Sequence, residues 1–310
     1  MKKILLGLLV GLSSCVAEKT DIDSLGQEIM QVSVEMKAME LEGMESRLAY
    51  DTSTKKLLWE LGDTLGIFPN VGGQVEFPIA SNSVGTTYAK FDGGGWALRS
   101  NYSYSAYYPF NFYNRNVKAV PFSYMGQVQD GDNSVVHMGD YLFLASAPMT
   151  AQNGALDFNL GHLGNIIELA LTLPVATTYT SLAVYTNSEI FPVNVTFNLQ
   201  SSDLKQTNVK YANHLSLGLE NITTTTANQV VTVWMVFPVA SDTAKTLTAV
   251  VTDIHGRLYV ADVYTSTGNP ATVNFNRNKK RTLKASPVLT DGSKSVVEGW
   301  INEGVGFDWN

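Results

Sequence analysis

The single cysteine, Cys15, lies in a context that suits acylation of its thiol. Lys2 and Lys3 precede an apolar run over residues 4–12, which is shorter than the roughly twenty residues that a membrane-spanning helix needs. A charged start, a short apolar core and small residues behind it are typical of a secretory signal peptide. The order Leu12-Ser13-Ser14-Cys15 matches a bacterial lipobox, in which the cysteine is diacylated and becomes the new N-terminus.

These features predict a lipoprotein signal peptide over residues 1–14, a tether over residues 15–28 and a lipid anchor at Cys15. The lipid would place the protein on the outer membrane, at the cell surface, because several acyl chains hold a protein on a membrane far more firmly than one does. The alternative is an ordinary signal peptide that contains a cysteine.

The other chemistry-bearing residues form no catalytic or metal-binding pattern. Once Cys15 is acylated, no thiol is left for a disulfide, a metal site or nucleophilic catalysis. No histidine has the spacing of a paired metal ligand, and the sequence contains no nucleophile elbow, P-loop or dinucleotide fingerprint. A pair of catalytic carboxylates that meet only in space stays open. We predict a protein that is not an enzyme and needs no metal or cofactor.

The chain is acidic and sparsely charged. Its 310 residues carry 21 Lys and Arg against 28 Asp and Glu, and 16% of the residues are charged. Loss of Lys2 and Lys3 with the signal peptide leaves 19 basic residues and a net charge of −9 over the remaining 296 residues. An acidic chain without a basic cluster is a poor nucleic-acid binder, so no nucleic-acid partner is expected. The length suggests two domains of ordinary size.

Residues 30–38 give one of the clearest secondary-structure signals in the sequence. Apolar and polar residues alternate strictly along this segment, which predicts a half-buried β-strand. The apolar positions are Met30, Val32, Val34, Met36 and Ala38.

Short β-type runs continue to the end of the chain, separated by turn residues. Residues 92–95 predict a hairpin loop between strands at 86–91 and 96–99, and His255-Gly256 predicts another between 247–253 and 258–263. We predict an all-β chain of two tandem β-sandwich domains, over residues 29–161 and 162–310. Further strands are expected at residues 141–145, 166–173, 182–186, 193–199, 230–236 and 282–285.

Several phrases of the sequence resemble the fimbrillin family, which builds type V pili. Residues 58–68 resemble its early tryptophan, followed by Gly-Asp and a short strand. Tyr107-Tyr108-Pro109 resembles its tyrosine-proline segment, and residues 127–145 resemble a stretch that ends in a tyrosine strand. His162 before residues 166–173 resembles a strand led by histidine. The likeness covers most of the chain in order.

The resemblance implies two transthyretin-like β-sandwich domains in a pilus subunit exported as a lipoprotein. In this family an arginine-specific surface protease removes the first strand, and a strand from a neighbouring subunit, often a C-terminal one, fills the exposed groove. This is β-strand addition. The implied partners are other pilin subunits, in a homo- or heteropolymer, and a host or microbial surface ligand.

Arg47 is the only arginine before Arg99, and it follows the alternating strand. Cleavage after Arg47 would release that strand and leave Leu48 as the new N-terminus. The expectation is therefore a processing site at Arg47 and Leu48, with residues 30–38 as the removable first strand. An ordinary surface arginine is the alternative.

The end of the chain carries a candidate donor strand within residues 296–310. Apolar residues alternate there with glycine and polar residues, at Val305, Phe307 and Trp309, and Ile301 extends the apolar face. A strand with one apolar face suits insertion into a partner's groove. Closure of the second sandwich within the same molecule is the alternative.

Alternating aromatic residues at 102–112 allow two interpretations. They could pack in the core of the first sandwich, or Tyr102, Tyr104 and Tyr108 could form a platform on which sugars stack. The second interpretation belongs to an alternative function, a surface glycan-binding lipoprotein of a nutrient-uptake system.

Overall fold

A computed structural model describes residues 28–29, 32–36, 49–51, 56–93, 98–99, 101–152, 155–239, 245–272, 277 and 280–290. The regular secondary structure of these residues is almost entirely β-strand, and the exceptions are two short 3₁₀ helices at Ser81–Ser83 and Val136–Asp140. The all-β prediction is confirmed. The strands are β1 (Glu28–Ile29), β2 (Val32–Met36), β3 (Ala49–Asp51), β4 (Lys56–Leu58), β5 (Thr64–Pro69), β6 (Val75–Pro78), β7 (Tyr88–Phe91), β8 (Leu98–Arg99), β9 (Ser103–Tyr108), β10 (Val120–Ser123), β11 (Gln127–Asp130), β12 (Leu144–Ala145), β13 (Met149–Thr150), β14 (Leu156–His162), β15 (Asn165–Leu173), β16 (Thr178–Tyr185), β17 (Phe191–Asn198), β18 (Lys205–Ala212), β19 (His214–Thr223), β20 (Gln229–Phe237), β21 (Thr248–Asp253), β22 (Leu258–Asp262), β23 (Tyr264–Thr265), β24 (Lys280–Ala285) and β25 (Val288–Leu289).

The largest sheet has the strand order β6-β5-β9-β12-β14-β2-β7, and β13 also pairs with β9. Its neighbouring strands β5 and β9 are buried on both faces, so this part of the sheet has packed layers on either side. Tyr107 of β9 shows the close packing: its ring stacks on Phe68 and meets Phe122 edge-on. The ring lies directly over Gly66, where a β-carbon would come within 2.1 Å of it.

The second half of the chain provides a four-stranded sheet, β20-β15-β24-β23, and all strands but β11 of a six-stranded sheet, β11-β19-β16-β21-β22-β25. A smaller sheet, β10-β17-β18, accompanies them. The alternating burial of β15 turns its apolar side chains to the core, as expected for a strand of a sandwich. The predicted hairpin at His255-Gly256 is confirmed, because β21 and β22 pair antiparallel across it.

One hydrophobic core runs through both halves of the chain. Two strands that precede Gly161 pair with strands of the second half: β10 with β17, and β11 with β19. The domain boundary near Gly161 stays a prediction. The hairpin expected at residues 92–95 is wrong, since β7 pairs with β2 and β8 pairs with β1.

The outer edge of β20 is closed by side chains instead of a neighbouring strand. The side chain of Gln127 bonds to both backbone groups of Val236. Its Nε2 donates to the carbonyl at 2.8 Å, and its Oε1 accepts from the N–H at 2.7 Å. Gln129 likewise accepts from the Trp234 N–H at 2.7 Å and donates to the Thr232 carbonyl at 3.0 Å. We call these two side chains the glutamine ladder.

Two further contacts complete the closure of this edge. The Asp132 carboxylate accepts from the Thr232 N–H at 2.7 Å, and His137 Nε2 lies 3.0 Å from the Trp234 carbonyl. Every outward backbone group at positions 232, 234 and 236 therefore has a partner. Exposed edges pair readily with other chains, so such a closure protects the strand from them.

The glutamine ladder should contribute measurably to stability. Leucine at position 127 or 129 would leave buried backbone groups of β20 without partners, which costs about 1–3 kcal/mol for each unsatisfied group. We expect Gln127→Leu and Gln129→Leu each to lower the free energy of unfolding, measured in urea, by about 1–3 kcal/mol. The double variant should also scatter more light, because its open strand edge would aggregate. Gln200→Leu, at an exposed position, is the matched control. A loss below about 0.5 kcal/mol in both variants would show that the ladder is dispensable.

Candidate functional site

Strand β2, which has five residues, lies inside the largest sheet. It pairs parallel with β14 and antiparallel with β7, two strands that come much later in the sequence. The strand predicted from the alternation at residues 30–38 is thus present over Val32–Met36; Met30 and Ala38 lie outside the described residues. A later part of the chain therefore provides both walls of the site that β2 fills. We call this site the β2 groove.

The walls of the β2 groove match the apolar pattern of β2. On β14 every second side chain is buried, and on β7 Ala89 and Phe91 are buried. Residues that pair directly across a sheet share one face, so the apolar positions of β2 are in register with the buried positions of both walls. The register pairs Val32 with Leu156 and Phe91, Val34 with Phe158 and Ala89, and Met36 with Leu160.

Each wall of the groove also has support that does not involve β2. On one side β14 pairs with β12. On the other side Phe91 of β7 forms a bridge with Ile79, and the Ala80 N–H donates to the Lys90 carbonyl at 2.8 Å. The Ser83 hydroxyl accepts from the Lys90 N–H at 3.0 Å. Removal of β2 would therefore leave two walls that remain attached to the rest of the protein.

Trp59 anchors the β7 wall to the core. Its fully buried ring meets Phe91 edge-on, with 5.0 Å between ring centroids, and Tyr108 at 5.4 Å. Its backbone N–H donates to the Thr86 carbonyl at 3.0 Å, just before β7 begins. Edge-to-face pairs of this kind add about 0.5–1.5 kcal/mol beyond the buried area. The early tryptophan of the fimbrillin resemblance thus stabilises one wall of the groove.

Several residues of the predicted sites lie outside the part of the chain that the structure describes. These are the lipidation residue Cys15, the processing residues Arg47 and Leu48, and the donor-strand residues Ile301, Val305, Phe307 and Trp309. The described chain ends after β25, an edge strand of the six-stranded sheet whose Val288 and Leu289 are exposed. Twenty residues follow Thr290 in the sequence.

The predicted glycan platform does not have the exposure that stacking on a sugar requires. Tyr104 and Tyr108 are buried, and Tyr102 is half-buried. The Tyr104 hydroxyl donates to the Arg99 carbonyl at 2.7 Å, and the Tyr108 hydroxyl donates to the Asp63 carboxylate at 2.7 Å. Tyr104 and Tyr108 therefore pack in the core, which corrects the assignment of a platform to them.

The four histidines are not brought together. No group of three or more His, Cys, Asp and Glu side chains suited to a metal ion occurs among the described residues. His162, at the end of β14, is buried, and neither of its ring nitrogens has a hydrogen-bond partner. Burial lowers the pKa of His162 to about 3, because the charged imidazolium would lose its hydration. The ring is thus neutral at physiological pH.

An open cavity of about 520 Å³ lies at the start of β5, beside Glu60, Asp63 and Asp140. Asp63 has a structural role there. One of its carboxylate oxygens accepts from the Tyr108 hydroxyl, and the other accepts from the Glu60 N–H at 2.7 Å. These bonds tie the turn before β5 to the end of β9.

No helix in the described ranges is both long enough and apolar enough to cross a bilayer. No family model and no curated protein sequence matches the chain. Solved structures do resemble it. A putative cell adhesion protein from Bacteroides uniformis is 14% identical, with a TM-score of 0.51 over 84% of this chain and 97% of that chain.

Two other solved structures align over a similar share of this chain. A putative cell adhesion protein from Bacteroides ovatus is 12% identical, with a TM-score of 0.48 over 85% of this chain and 96% of that chain. A fimbrial protein from Bacteroides ovatus is 9% identical, with a TM-score of 0.36 over 87% of this chain and 55% of that chain. Of these three structures, the one from Bacteroides uniformis exceeds a TM-score of 0.5, and it supports the fold alone. The β-sandwich fold expected from the fimbrillin resemblance is confirmed.

Proposed function

We propose that the chain is a non-enzymatic, adhesive or structural subunit of a cell-surface pilus, assembled with other pilin subunits by β-strand exchange. The observation that carries this proposal is the position of β2. Among the described residues it is the first strand longer than two residues, yet it lies between two strands of a later part of the sequence. Proteolysis before β3 could therefore remove β2 and leave both walls of the groove in place.

A replacement strand would have to reproduce what β2 supplies. Those contributions are a backbone ladder to β14 and β7 and apolar residues at alternate positions. Each large apolar side chain that is buried contributes roughly 1.5–3 kcal/mol, so an empty groove would bind a matching strand firmly. Val305, Phe307 and Trp309 repeat the spacing of Val32, Val34 and Met36. The C-terminal tail is thus the donor strand in this proposal.

The place where the tail leaves the fold supports a donor role. It follows β25, whose exposed side chains lie at a sheet edge, and Thr290 donates to the Leu258 carbonyl at 3.0 Å. Twenty residues beyond that point span at most about 70 Å when extended. That length is ample for reaching a neighbouring subunit. In this proposal Cys15 carries the lipid until cleavage after Arg47.

The proposal is tested on residues 16–310, which omit the lipidated cysteine. The protein is digested briefly with an arginine-specific protease and followed by intact-mass analysis and native gel electrophoresis. We expect one early cut after Arg47, loss of residues 16–47 and a ladder of stable oligomers. A synthetic peptide of residues 30–38 should suppress the ladder by refilling the β2 groove.

Two variants control this experiment. Arg47→Lys removes the protease site and should leave a monomer. Deletion of residues 296–310 should permit the cut but abolish the ladder, because the donor strand is gone. Resistance at Arg47, or a cut that leaves an unchanged monomer, would exclude assembly by strand exchange at this groove.

A further inference from the structure

The loop between β9 and β10 presents two aromatic side chains to solvent. Phe112 is 60% exposed and Tyr113 is 84% exposed. Their rings lie edge to face, with 5.8 Å between centroids. Large exposed apolar side chains of this kind often mark binding surfaces. We call residues 110–118 the aromatic loop.

Hydrogen bonds hold the backbone of the aromatic loop in one conformation. Gln74 Nε2 donates to the Asn111 carbonyl at 2.8 Å and to the Phe112 carbonyl at 3.3 Å. The Asn111 N–H donates to the Tyr107 hydroxyl at 3.1 Å, and the buried Asn114 donates its own N–H back to the Asn111 carbonyl. Because the backbone is already ordered, ligand binding would lose little conformational entropy.

The polar groups that this loop offers are mainly donors. The Arg115 guanidinium lies 4.4 Å above the Phe112 ring, and both Arg115 and Lys118 are exposed. Neither makes an ion pair with any residue that the structure describes. The side-chain oxygens of Asn111 and Asn116 each accept a backbone N–H at 2.9 Å, which leaves their NH₂ groups to face a ligand.

The aromatic loop is positively charged, whereas the chain as a whole is negatively charged. No aspartate or glutamate occurs between Asp92 and Asp130, although the whole chain carries a net charge of −7. Arg115 and Lys118 therefore make this loop a basic site on an acidic protein. Electrostatic complementarity then favours a ligand that carries negative charge.

We propose that the aromatic loop is a binding site for an acidic saccharide, one that carries a carboxylate on a sugar ring. The guanidinium of Arg115 would bind the carboxylate in bidentate fashion, as arginine commonly does. The open face of the Tyr113 ring would take the C–H face of the sugar, and the asparagine amides would donate to its hydroxyls. Two rings and a few donors on one short loop match one or two sugar units. A protein partner typically covers about 800 Å² on each side.

This inference gives the adhesive role a ligand class, but it does not depend on strand exchange. The test therefore uses the uncleaved, monomeric protein of residues 16–310. Binding of 3′-sialyllactose and of trigalacturonic acid is measured by ligand-observed saturation-transfer NMR and titration. Lactose is the matched neutral probe, since it lacks only the acidic sugar of 3′-sialyllactose.

We expect at least one acidic probe to bind and lactose to bind at least tenfold more weakly. Tyr113→Ala and Arg115→Gln should each weaken binding by tenfold or more, and 0.5 M salt should weaken it further. The matched controls, Tyr211→Ala and Lys210→Gln, change exposed residues outside the loop and should have no effect. Circular dichroism of all four variants checks that the fold is intact.

The following results would overturn the assignment: no binding of either acidic probe, equal binding of lactose, or unchanged binding in both loop variants. Stronger binding of an oligoglutamate peptide would instead identify the loop as a protein-docking surface. None of these outcomes bears on cleavage at Arg47, so the site and the assembly mechanism can fail separately.

Discussion

Replacement of Phe158 by alanine is expected to lower the free energy of unfolding by about 3–5 kcal/mol, the usual range for truncation of a buried phenylalanine. Phe158 is fully buried in the middle of β14, at the position paired with Val34 of β2. Urea unfolding followed by circular dichroism measures the change. The matched control is Phe112→Ala, which removes the same atoms from an exposed position and should stay within about 0.5 kcal/mol.

The same variant also tests the groove. If a donor strand binds along β14, the cavity left by Phe158→Ala should weaken its binding, and cleaved protein should form a shorter ladder of oligomers. A loss of stability below about 1 kcal/mol would contradict the packing of β14. A loss of about 3–5 kcal/mol with an unchanged ladder of oligomers would show that the donor strand binds elsewhere.

Acid should destabilise the protein through His162. The pKa of this residue is lowered to about 3 in the folded protein by burial, whereas an unfolded chain has a value near 6.5. Between these values the unfolded state binds one more proton, so stability is complete above about pH 6.5 and falls as the pH decreases. The expected slope from His162 alone is about 1.4 kcal/mol per pH unit.

This slope can be measured by urea unfolding at pH 7, 6, 5 and 4.5. His162→Phe should remove about one proton from the pH dependence of stability, and Gln200→Leu, which replaces an exposed side chain that does not titrate, should leave that dependence unchanged. Burial also lowers the pKa values of His137 and His214, so part of the acid sensitivity will remain in the variant. An identical pH profile for His162→Phe and the unmodified protein would show that His162 is not buried as a neutral ring.

The sequence predicted some of the strands whose apolar and polar residues alternate, but it did not predict β14 and β19, in which they also alternate. The expected strand at 166–173 appears as β15, and the one at 230–236 appears as β20. It did not predict β18, where the side chains are largely polar and the burial pattern has no regular alternation. Local alternation reports on one buried face, so a polar strand held mainly by backbone bonds gives little signal.

Pairing partners were much harder to predict than strands. The glycines at 93–95 favoured a hairpin, but β7 pairs with β2, a strand more than fifty residues earlier. The alternating aromatic residues of β9 are compatible with either exposure or burial. In the structure they are buried, because other parts of the chain pack on both faces of the sheet. Gln127 and Gln129 look like surface residues in the sequence, because their partners on β20 are about one hundred residues away.

The glutamine ladder also affects what type of polymer the proposed pilus subunit could form. A monomer with one acceptor groove and one donor strand is bifunctional in the sense of polymer chemistry, and it gives linear chains. A third reactive edge would make it trifunctional, and the product would branch towards a gel. By occupying the backbone groups of β20 with Gln127 and Gln129, the fold removes one such edge. If the chain assembles by the proposed strand exchange, these two amide side chains would favour a fibre over a network.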